Sequence, residues 1–358
     1  MAPQHSECSR SSAWGKPQKN PDLHALYSFR EDHDSRLINK LPLRDVKISG
    51  TVFSSRFPHD LMTSFRIDPA AIVHTLGPEG TFSDQAARVF QPLQEQVRYS
   101  RTFAEALFQV SANPDAIAVV PIENSVAGTV SQVQDSLVSE DLVILSEVNL
   151  PIGYSLLASA ELEKIQTLYA HPQALEQSSG FVTRQLPGAR PSFTYSNIDS
   201  GIRFLEQVEN SKDPVAALVP ASFALKHPQF LSAADIQDYK NNTTRFLLVQ
   251  KRGKDRRNDF SKTKTALYVE FQEDRPGLLY RMLSVFNLFG VNLCRLESRP
   301  SKTTPWMYVF YVDFYNLPET EACLEVLKTS RFSFKILGSY DVKKYQSFPD
   351  FEGEPIDS

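Results

Sequence analysis

The sequence predicts an α/β protein built from two facing lobes and a smaller C-terminal unit. From Ala71 to about residue 251, short apolar runs alternate with amphipathic helical segments, which is typical of helices packed against a mostly parallel sheet. From Thr265 onward the order changes to strand, helix, strand, strand, helix, strand. A length of 358 residues fits two or three such domains.

Composition excludes several classes of function. Hydrophobic residues make up 41% and charged residues 22% of the chain, as in ordinary globular proteins. The net charge of -4 argues against a nucleic-acid partner, and we interpret the basic run 251–257 as a solvated linker. No apolar run approaches the about 18 residues that would indicate a membrane span. Since Cys8, Cys294 and Cys323 lack the spacing of a disulfide framework or a zinc site, we expect a cytoplasmic protein without a metal.

Changes in the periodicity of apolar residues along the chain indicate the domain boundaries. Residues 1–69 show little periodicity and are interpreted as a partly disordered extension, with a vestigial helical domain as the alternative. The predicted domains are the extension 1–69, a two-lobed region 70–251, a C-terminal domain 264–345 and a tail 346–358. Within the two-lobed region, lobe 1 takes about 70–151 and 235–251, and lobe 2 takes about 152–234.

The first strand, Ile72 to Leu76, leads into a Gly- and Pro-containing turn that opens a helix. Thr81 with Asp84 three residues later resembles a capping box. The two glycines let the backbone approach a ligand, and the free amides of such a helix start can hold an anion. The turn lacks the spacing of dinucleotide and nucleoside triphosphate loops, and a plain strand-to-helix turn is the alternative interpretation.

A second polar cluster follows the strand Ala116 to Val120. Asn124, Ser125 and Thr129 come after its carboxyl end, which is where open α/β sheets place their ligands. Two such loops at one sheet edge predict a cleft. Pockets favour the junction between two lobes.

The chain returns to the first lobe through a polar loop that runs into the apolar strand ending at Val249. Thr244 and Arg245 stand at the mouth of this strand. A guanidinium can hold a carboxylate in bidentate fashion, and a hydroxyl beside it could pass a proton to a leaving group. A strand-capping Thr with a solvated Arg is the alternative. At the first helix of lobe 2, His171 is interpreted either as a cap or as a chemical group.

The C-terminal β-α-β-β-α-β order is the ferredoxin-like arrangement. Its first predicted helix, from Leu278 to Phe289, carries an apolar face that we interpret as core. The unit contains no acid/base pair or nucleophile, so its predicted role is regulatory or oligomerising.

Several segments together resemble one enzyme family, the prephenate dehydratases. The matching segments, in order, are Gly77–Ser83, Pro121–Ser125, His171–Leu175 and Thr244–Phe246. The C-terminal unit resembles the ACT domain attached to these enzymes, in Arg275–Gly277 and Glu297–Pro300. The resemblance covers about residues 71–345. It implies a two-lobed, periplasmic-binding-protein-like catalytic region that turns prephenate into phenylpyruvate, water and carbon dioxide during phenylalanine synthesis.

The resemblance also implies roles for individual residues. Thr244 is implied to be the acid that protonates the departing ring hydroxyl, Arg245 to bind a substrate carboxylate and Phe246 to shape an apolar wall. The implied substrate-binding residues are Ser83, Asn124, Ser125, Thr129 and Gln173. The reaction gains an aromatic ring, so orientation and one positioned acid suffice, and no cofactor is expected.

In this family the ACT domain binds L-phenylalanine between subunits as feedback control, which implies a homodimer or homotetramer. The implied ligand-binding residues are Arg275, Pro276, Gly277, Leu278, Leu279, Glu297, Ser298, Arg299 and Pro300. Leu278 stands where the family usually has Ala, and Ala127 stands where it usually has an acidic residue.

Two alternatives stay open. Arogenate dehydratase performs the same reaction on the aminated substrate, and a comparison of turnover on the two substrates decides between them. A non-catalytic phenylalanine sensor is the other, against which the intact Thr244 and Arg245 argue.

Overall fold

The computed structural model describes residues 67–253, 258–271, 273, 275–330 and 332–345. These residues belong to one compact unit, Met62–Ser358. The predicted N-terminal extension, apart from residues 67–69, and the predicted tail 346–358 lie outside the described residues. Within the described part of the chain, no helix has both the length and the apolar character needed to cross a membrane.

Strands and helices follow one another much as the sequence predicts. The strands are β1 Val73–Leu76, β2 Val97–Ser100, β3 Ile117–Asn124, β4 Gly128–Thr129, β5 Leu142–Pro151, β6 Tyr154–Ala158, β7 Thr167–Ala170, β8 Arg190–Phe193, β9 Val215–Pro220, β10 Leu231–Ala233, β11 Thr243–Lys251, β12 Lys264–Glu270, β13 Leu293–Pro300, β14 Tyr308–Tyr315 and β15 Ser333–Lys343. The α-helices are α1 Phe82–Phe90, α2 Phe103–Ala112, α3 Ser131–Ser139, α4 Pro172–Gln177, α5 Ser179–Gln185, α6 Asn197–Asn210, α7 Ala221–Ala224, α8 Leu278–Leu288 and α9 Thr320–Thr329.

Two sheets organise these elements. The larger runs β13-β14-β12-β15-β5-β11-β3-β1-β2, with β4 paired to β3, and the smaller runs β10-β6-β9-β7-β8. The chain crosses to the smaller sheet between β5 and β6 and returns between β10 and β11. The mixed α/β fold class predicted from the sequence is confirmed.

Strand β11 is central to the larger sheet and is flanked by β3 and β5, both antiparallel to it. Its apolar residues from Phe246 to Val249 are buried, which explains why the segment forms an interior strand. The strand begins at Thr243, so Thr244 and Arg245 lie within it and not in the preceding loop as the sequence predicted. Neighbouring residues of a strand point to opposite faces of the sheet.

Strand β3 is also longer than predicted. The apolar run predicts a strand that ends before Pro121, but pairing continues to Asn124. The register with β11 shifts between Arg245 and Phe246, opposite the Pro121–Glu123 stretch. A proline lacks an amide hydrogen and is tolerated in an interior strand where such a bulge interrupts the ladder. The extension of β3 brings Asn124 level with Thr244.

The C-terminal unit has the predicted ferredoxin-like topology, with the antiparallel order β15-β12-β14-β13. One face of its sheet is covered by two helices, with Met282 and Phe286 of α8 and Cys323 and Leu327 of α9 in the core. The other face packs on the first lobe, where Tyr311 lies in the same apolar cluster as Val133 and Leu137. Strand β15 also pairs with β5 in parallel at its last three residues, so both units share one sheet.

Candidate active site

Thr244 on β11 lies directly opposite Asn124 on β3. The Asn124 Nδ2 atom donates to the Thr244 Oγ1 atom over 2.8 Å, and both residues are buried. The orientation of the Asn124 amide is fixed because its Oδ1 accepts the backbone amides of Val126 at 3.0 Å and Ala127 at 2.8 Å. The Thr244 oxygen therefore serves as an acceptor, which leaves its own proton available for donation.

Two further amide side chains extend this arrangement into the second lobe. Asn124 Nδ2 also donates to Asn242 Oδ1 at 2.7 Å, and Asn242 Nδ2 donates to Gln177 Oε1 at 3.0 Å. Asn242 is 2% exposed and Gln177 6% exposed. Neither residue is predicted from the sequence to take part in the site. Asn242 directly precedes the Thr243–Thr244 pair, whereas Gln177 lies one helical turn beyond the predicted Gln173 and is recognisable only once the lobes are folded together.

Ser125 and Gln173 lie near this chain of amides but are exposed. Ser125 Oγ accepts the backbone amide of Thr243 at 2.9 Å and donates to the carbonyl of Asn241 at 3.4 Å. Ser125 thus ties the end of β3 to the loop before β11. The backbone amide of Gln173 is bonded by the His171 Nδ1 atom at 3.3 Å, so His171 caps α4. Burial lowers the pKa of His171, which keeps the imidazole nitrogen available as an acceptor.

Helix α1 carries Ser83 in its first turn. Thr81 caps the helix by accepting the amide of Asp84 at 3.3 Å, as predicted. The Asp84 carboxylate accepts the amide of Gly80 at 2.9 Å and pairs with Arg88 at 3.0 Å. Ser83 itself is buried.

The start of α1 also contacts the second lobe. Gln85 Nε2 donates to Ser222 Oγ at 2.9 Å, and the rings of Phe82 and Tyr154 meet edge to face at 5.6 Å. A methyl group added at Gly80 would lie 3.1 Å from Ile198 Cδ1. The two lobes are therefore in close contact around the start of α1.

Arg245 points to the other face of the sheet, away from Thr244. Its guanidinium is bonded by Glu123 at 2.8 Å, Glu147 at 2.8 Å and Asp313 at 2.9 Å. Burial alone would lower the pKa of Arg245, but the carboxylates of Asp313 and Glu147 outweigh it and raise that pKa. The prediction that Arg245 binds a substrate carboxylate needs correction for this structure, because strand alternation turns its side chain into an ion-pair network.

Phe246 lies in the core, and Thr129 lies on the same face of the sheet as Arg245. Phe246 is 2% exposed and packs in the core beneath Thr244, with Leu150 in the same cluster. Thr129 on β4 lies opposite Glu123 on β3, and Glu123 in turn lies opposite Arg245. The side chains of Thr129 and Arg245 are therefore on the same face of the sheet. Its hydroxyl donates to Glu297 and accepts from Arg295 at 3.2 Å, so it contacts the C-terminal unit and does not reach the substrate position predicted for it.

The C-terminal unit contains a separate cavity of about 380 Å³. Its lining includes five of the residues predicted to bind phenylalanine: Arg275, Gly277, Leu278, Leu279 and Ser298. The remaining wall is mostly aromatic or apolar and includes Phe271, Trp306, Met307, Tyr308 and Phe310. Trp306 is 90% exposed and has a positive φ of 65°, which is unusual for a bulky residue.

Glu297 and Arg299 alternate with Ser298 along β13 and so face away from this cavity. Glu297 pairs with Arg295, while Arg299 donates to Ser131 at 2.7 Å. Pro276 and Pro300 flank the lining residues without belonging to them. The nine residues predicted to bind phenylalanine are therefore divided between the cavity lining, the margin of the cavity and the contact with the first lobe.

No group of three or more His, Cys, Asp or Glu side chains suited to a metal ion occurs among the residues the structure describes.

More than half of the chain matches the model of one known protein family. The family model described as prephenate dehydratase matches residues 73–254. The chain belongs to the prephenate dehydratase family. A prephenate dehydratase from Methanocaldococcus jannaschii is 33% identical over 278 residues, which covers 76% of this chain and 98% of that protein. By membership of this family, the chain is a carbon-oxygen lyase.

Solved prephenate dehydratases share the same architecture. The enzyme from Staphylococcus aureus subsp. aureus Mu50 has a TM-score of 0.64 and 28% identity, over 75% of this chain and 99% of that one. The enzyme from Arthrobacter aurescens, solved in complex with L-Phe, has a TM-score of 0.62 and 30% identity, over 76% of this chain and 90% of that one. Both alignments reach beyond the 182 residues matched by the family model.

Proposed function

We propose that this prephenate dehydratase acts in the cleft between its lobes, with Thr244 as the proton donor. In the reaction, the bond to the ring carboxylate breaks, its electron pair enters the ring and the ring hydroxyl leaves as water after it takes up a proton. One proton is consumed, and the gain of aromaticity supplies the driving force. The observation that best supports Thr244 as the donor is the 2.8 Å hydrogen bond from Asn124 to the Thr244 oxygen.

This hydrogen bond supports the role of Thr244 in two ways. It orients the hydroxyl so that its proton points away from Asn124. It also stabilises the negative charge that develops on the threonine oxygen as the proton leaves, and a fixed donor in a buried site is most effective for this purpose. Asn242 accepts a hydrogen bond from the Asn124 side chain and is held in turn by Gln177 of the second lobe.

Substrate carboxylates are then held by neutral donors, because Arg245 is already bound by three carboxylates. Ser83 lies in the first turn of α1, where free backbone amides favour an anion. Ser125 and Gln173 are exposed side chains on either side of the Asn124–Gln177 chain, which supports their assignment to the substrate.

We further propose that the C-terminal cavity binds L-phenylalanine and that this ligand inhibits the enzyme. The aromatic wall suits a benzyl side chain, and the volume lies within the range of small-molecule sites. The cavity rim carries Arg275 and Glu273, which pair at 2.7 Å and could engage the carboxylate and the ammonium of an amino acid. The Arthrobacter aurescens relative, solved with L-Phe, supports this choice of ligand. Inhibition requires that phenylalanine bind two states of the protein with different affinity.

The outer edge of β13 ends the larger sheet and supports the proposal that two copies associate there. A homodimer or homotetramer is the proposed assembly, and light scattering coupled to size-exclusion chromatography measures it. A monomer at working concentrations, with and without L-phenylalanine, would contradict this part of the proposal.

One assay tests the function. Purified protein is supplied with prephenate or with arogenate, and the aromatic product is followed by absorbance with and without L-phenylalanine. The proposal predicts faster formation of phenylpyruvate from prephenate and a lower rate when phenylalanine is present. Preferred turnover of arogenate would identify an arogenate dehydratase, and phenylalanine binding without turnover of either substrate would identify a sensor.

A further inference from the structure

A buried ion-pair cluster lies on the sheet face behind Thr244. The Arg245 cluster comprises Glu123, Glu147, Arg245, Lys264 and Asp313. Arg245 bonds the three carboxylates, and Lys264 Nζ bonds the second oxygen of Glu147 at 2.8 Å. The cluster draws its members from both units, because Lys264 lies on β12 and Asp313 on β14 of the ferredoxin-like unit.

These are not ordinary surface ion pairs. The side chain of Glu147 is fully buried, and those of Asp313 and Lys264 are 6% and 8% exposed. Screening by water and salt is therefore weak, and removal of one partner leaves the others as poorly compensated buried charges. The carboxylate of Asp313, on the ferredoxin-like unit, accepts from Arg245 at 2.9 Å and also lies 4.0 Å from the guanidinium of Arg295.

The cluster lies next to the catalytic pair in the strand register. Arg245 is opposite Glu123, and Thr244 is opposite Asn124, in consecutive rungs of the β11–β3 ladder. The ion pair on one face and the hydrogen bond on the other face therefore hold the same short stretch of two strands. The register shifts immediately after Arg245, so the backbone ladder is interrupted where the side chains must fix the alignment.

Strand β14 connects the cluster with the proposed phenylalanine cavity. Tyr308 and Phe310 line that cavity, and Asp313 follows on the same strand with its side chain on the opposite face. A shift of β14 on ligand binding would move a cavity wall and a partner of Arg245 together.

We propose that Asp313 is a positioning residue for the dehydration: through Arg245 it keeps Thr244 in register with Asn124 and couples this pair to the ligand state of the ferredoxin-like unit. The inference rests on the role proposed for Thr244. Asp313 touches no substrate and acts only through the alignment of β11 against β3.

The test compares Asp313→Asn with the control Asp135→Asn in the full-length protein. Asp135 on α3 also joins the first lobe to the ferredoxin-like unit, by ion pairs with Lys302 at 2.8 Å and Arg299 at 3.6 Å, but it does not touch β11. Misalignment of the reacting groups by Asp313→Asn should lower kcat about 10-fold or more and change KM by less than about 3-fold. Asp135→Asn should keep kcat within about 2-fold of the unmodified protein.

Two additional measurements separate positioning from a loss of folding. Asp313→Glu, which retains the charge, should recover part of the lost kcat. Hydrogen–deuterium exchange should rise at the amides of Val126 and Ala127, which are bonded to Asn124, in Asp313→Asn but not in Asp135→Asn. L-phenylalanine should still bind to Asp313→Asn, as followed by the fluorescence of Trp306, but should inhibit it less.

The possible outcomes distinguish the positioning role of Asp313 from the activity proposed for the protein. Unchanged kcat and unchanged exchange in Asp313→Asn overturn the positioning role, and so does an equal loss in Asp135→Asn. If the unmodified protein does not turn over prephenate while exchange rises only in Asp313→Asn, the proposed activity fails and the positioning of Asn124 stands. If Asp313→Asn does not fold, Lys264→Met, which disturbs the same cluster through Glu147, should raise the same exchange rates, and its failure to do so also overturns the inference.

Discussion

Replacement of Asn124 by aspartate tests the hydrogen bond on which the proposed acid depends. The substitution keeps the size of the side chain and the oxygen that accepts the amides of Val126 and Ala127. It removes the donor that bonds Thr244 at 2.8 Å and Asn242 at 2.7 Å. An ionised carboxylate at this position would instead attract the Thr244 proton and turn it away from the substrate.

The expected loss follows from these two contacts. A buried donor lost next to a developing charge costs about 3 kcal/mol, and about 1.4 kcal/mol corresponds to a tenfold change in rate. Asn124→Asp should therefore lower kcat about 100-fold at pH 7. Burial raises the pKa of a carboxyl group, so the introduced group should regain a proton and its donor capacity on mild acidification, and the loss relative to the unmodified protein should shrink.

The assay is the steady-state rate on prephenate over a range of pH. Asn113→Asp is a matched control, because Asn113 is an exposed asparagine whose Oδ1 likewise accepts a backbone amide, that of Asp115 at 3.1 Å, and it is assigned no part in the site. Its kcat should remain within about 2-fold of normal. A kcat for Asn124→Asp within about 3-fold of normal at pH 7 would refute the argument that an amide donor at this position supports the acid.

Three further predictions concern other parts of the molecule. Gln177→Leu leaves the Asn242 amide without its acceptor and should lower kcat about 10-fold, and an unchanged kcat would exclude Gln177 from the support of the site. Trp306→Ala removes an aromatic wall and should weaken L-phenylalanine binding about 10-fold or more by calorimetry, while basal kcat stays within about 2-fold. Burial raises the pKa of Glu147, but Arg245 and Lys264 outweigh it and hold that pKa below its usual 4.5. The ionised group therefore stabilises the fold above pH 4.5, and this stabilisation is lost as pH falls below that value, so urea midpoints should fall less steeply on acidification in Glu147→Gln.

The overall fold was predictable because its signals are local. Apolar runs such as Ala116 to Val120, and cap residues such as Thr81, define strands and helix starts without knowledge of the tertiary structure. The ferredoxin-like order of the C-terminal unit followed from the same alternation. The parallel pairing of β15 with β5 joins residues 195 positions apart, and no local pattern indicates it.

The candidate site was predicted only in part, and the errors have one physical origin. In a loop, as the sequence predicts, the side chains of Thr244 and Arg245 could both face the substrate. Once both lie in a strand, the pleat turns them to opposite faces, and Arg245 meets Asp313 on β14. Thr129 lies on the same face of the sheet as Arg245, because both pair with Glu123 in the strand register. The Asn242–Gln177 contact joins two lobes and depends on how they pack together.

The most direct test of the account is the turnover of prephenate by Thr244→Val and Thr244→Ser. Valine matches the shape of threonine but has no proton to donate, whereas serine retains the hydroxyl beside Asn124. The account predicts that Thr244→Val loses about 10³-fold in kcat with little change in KM, and that Thr244→Ser keeps a substantial part of the activity. A Thr244→Val enzyme with kcat close to that of Thr244→Ser would contradict the assignment of the threonine hydroxyl as the acid.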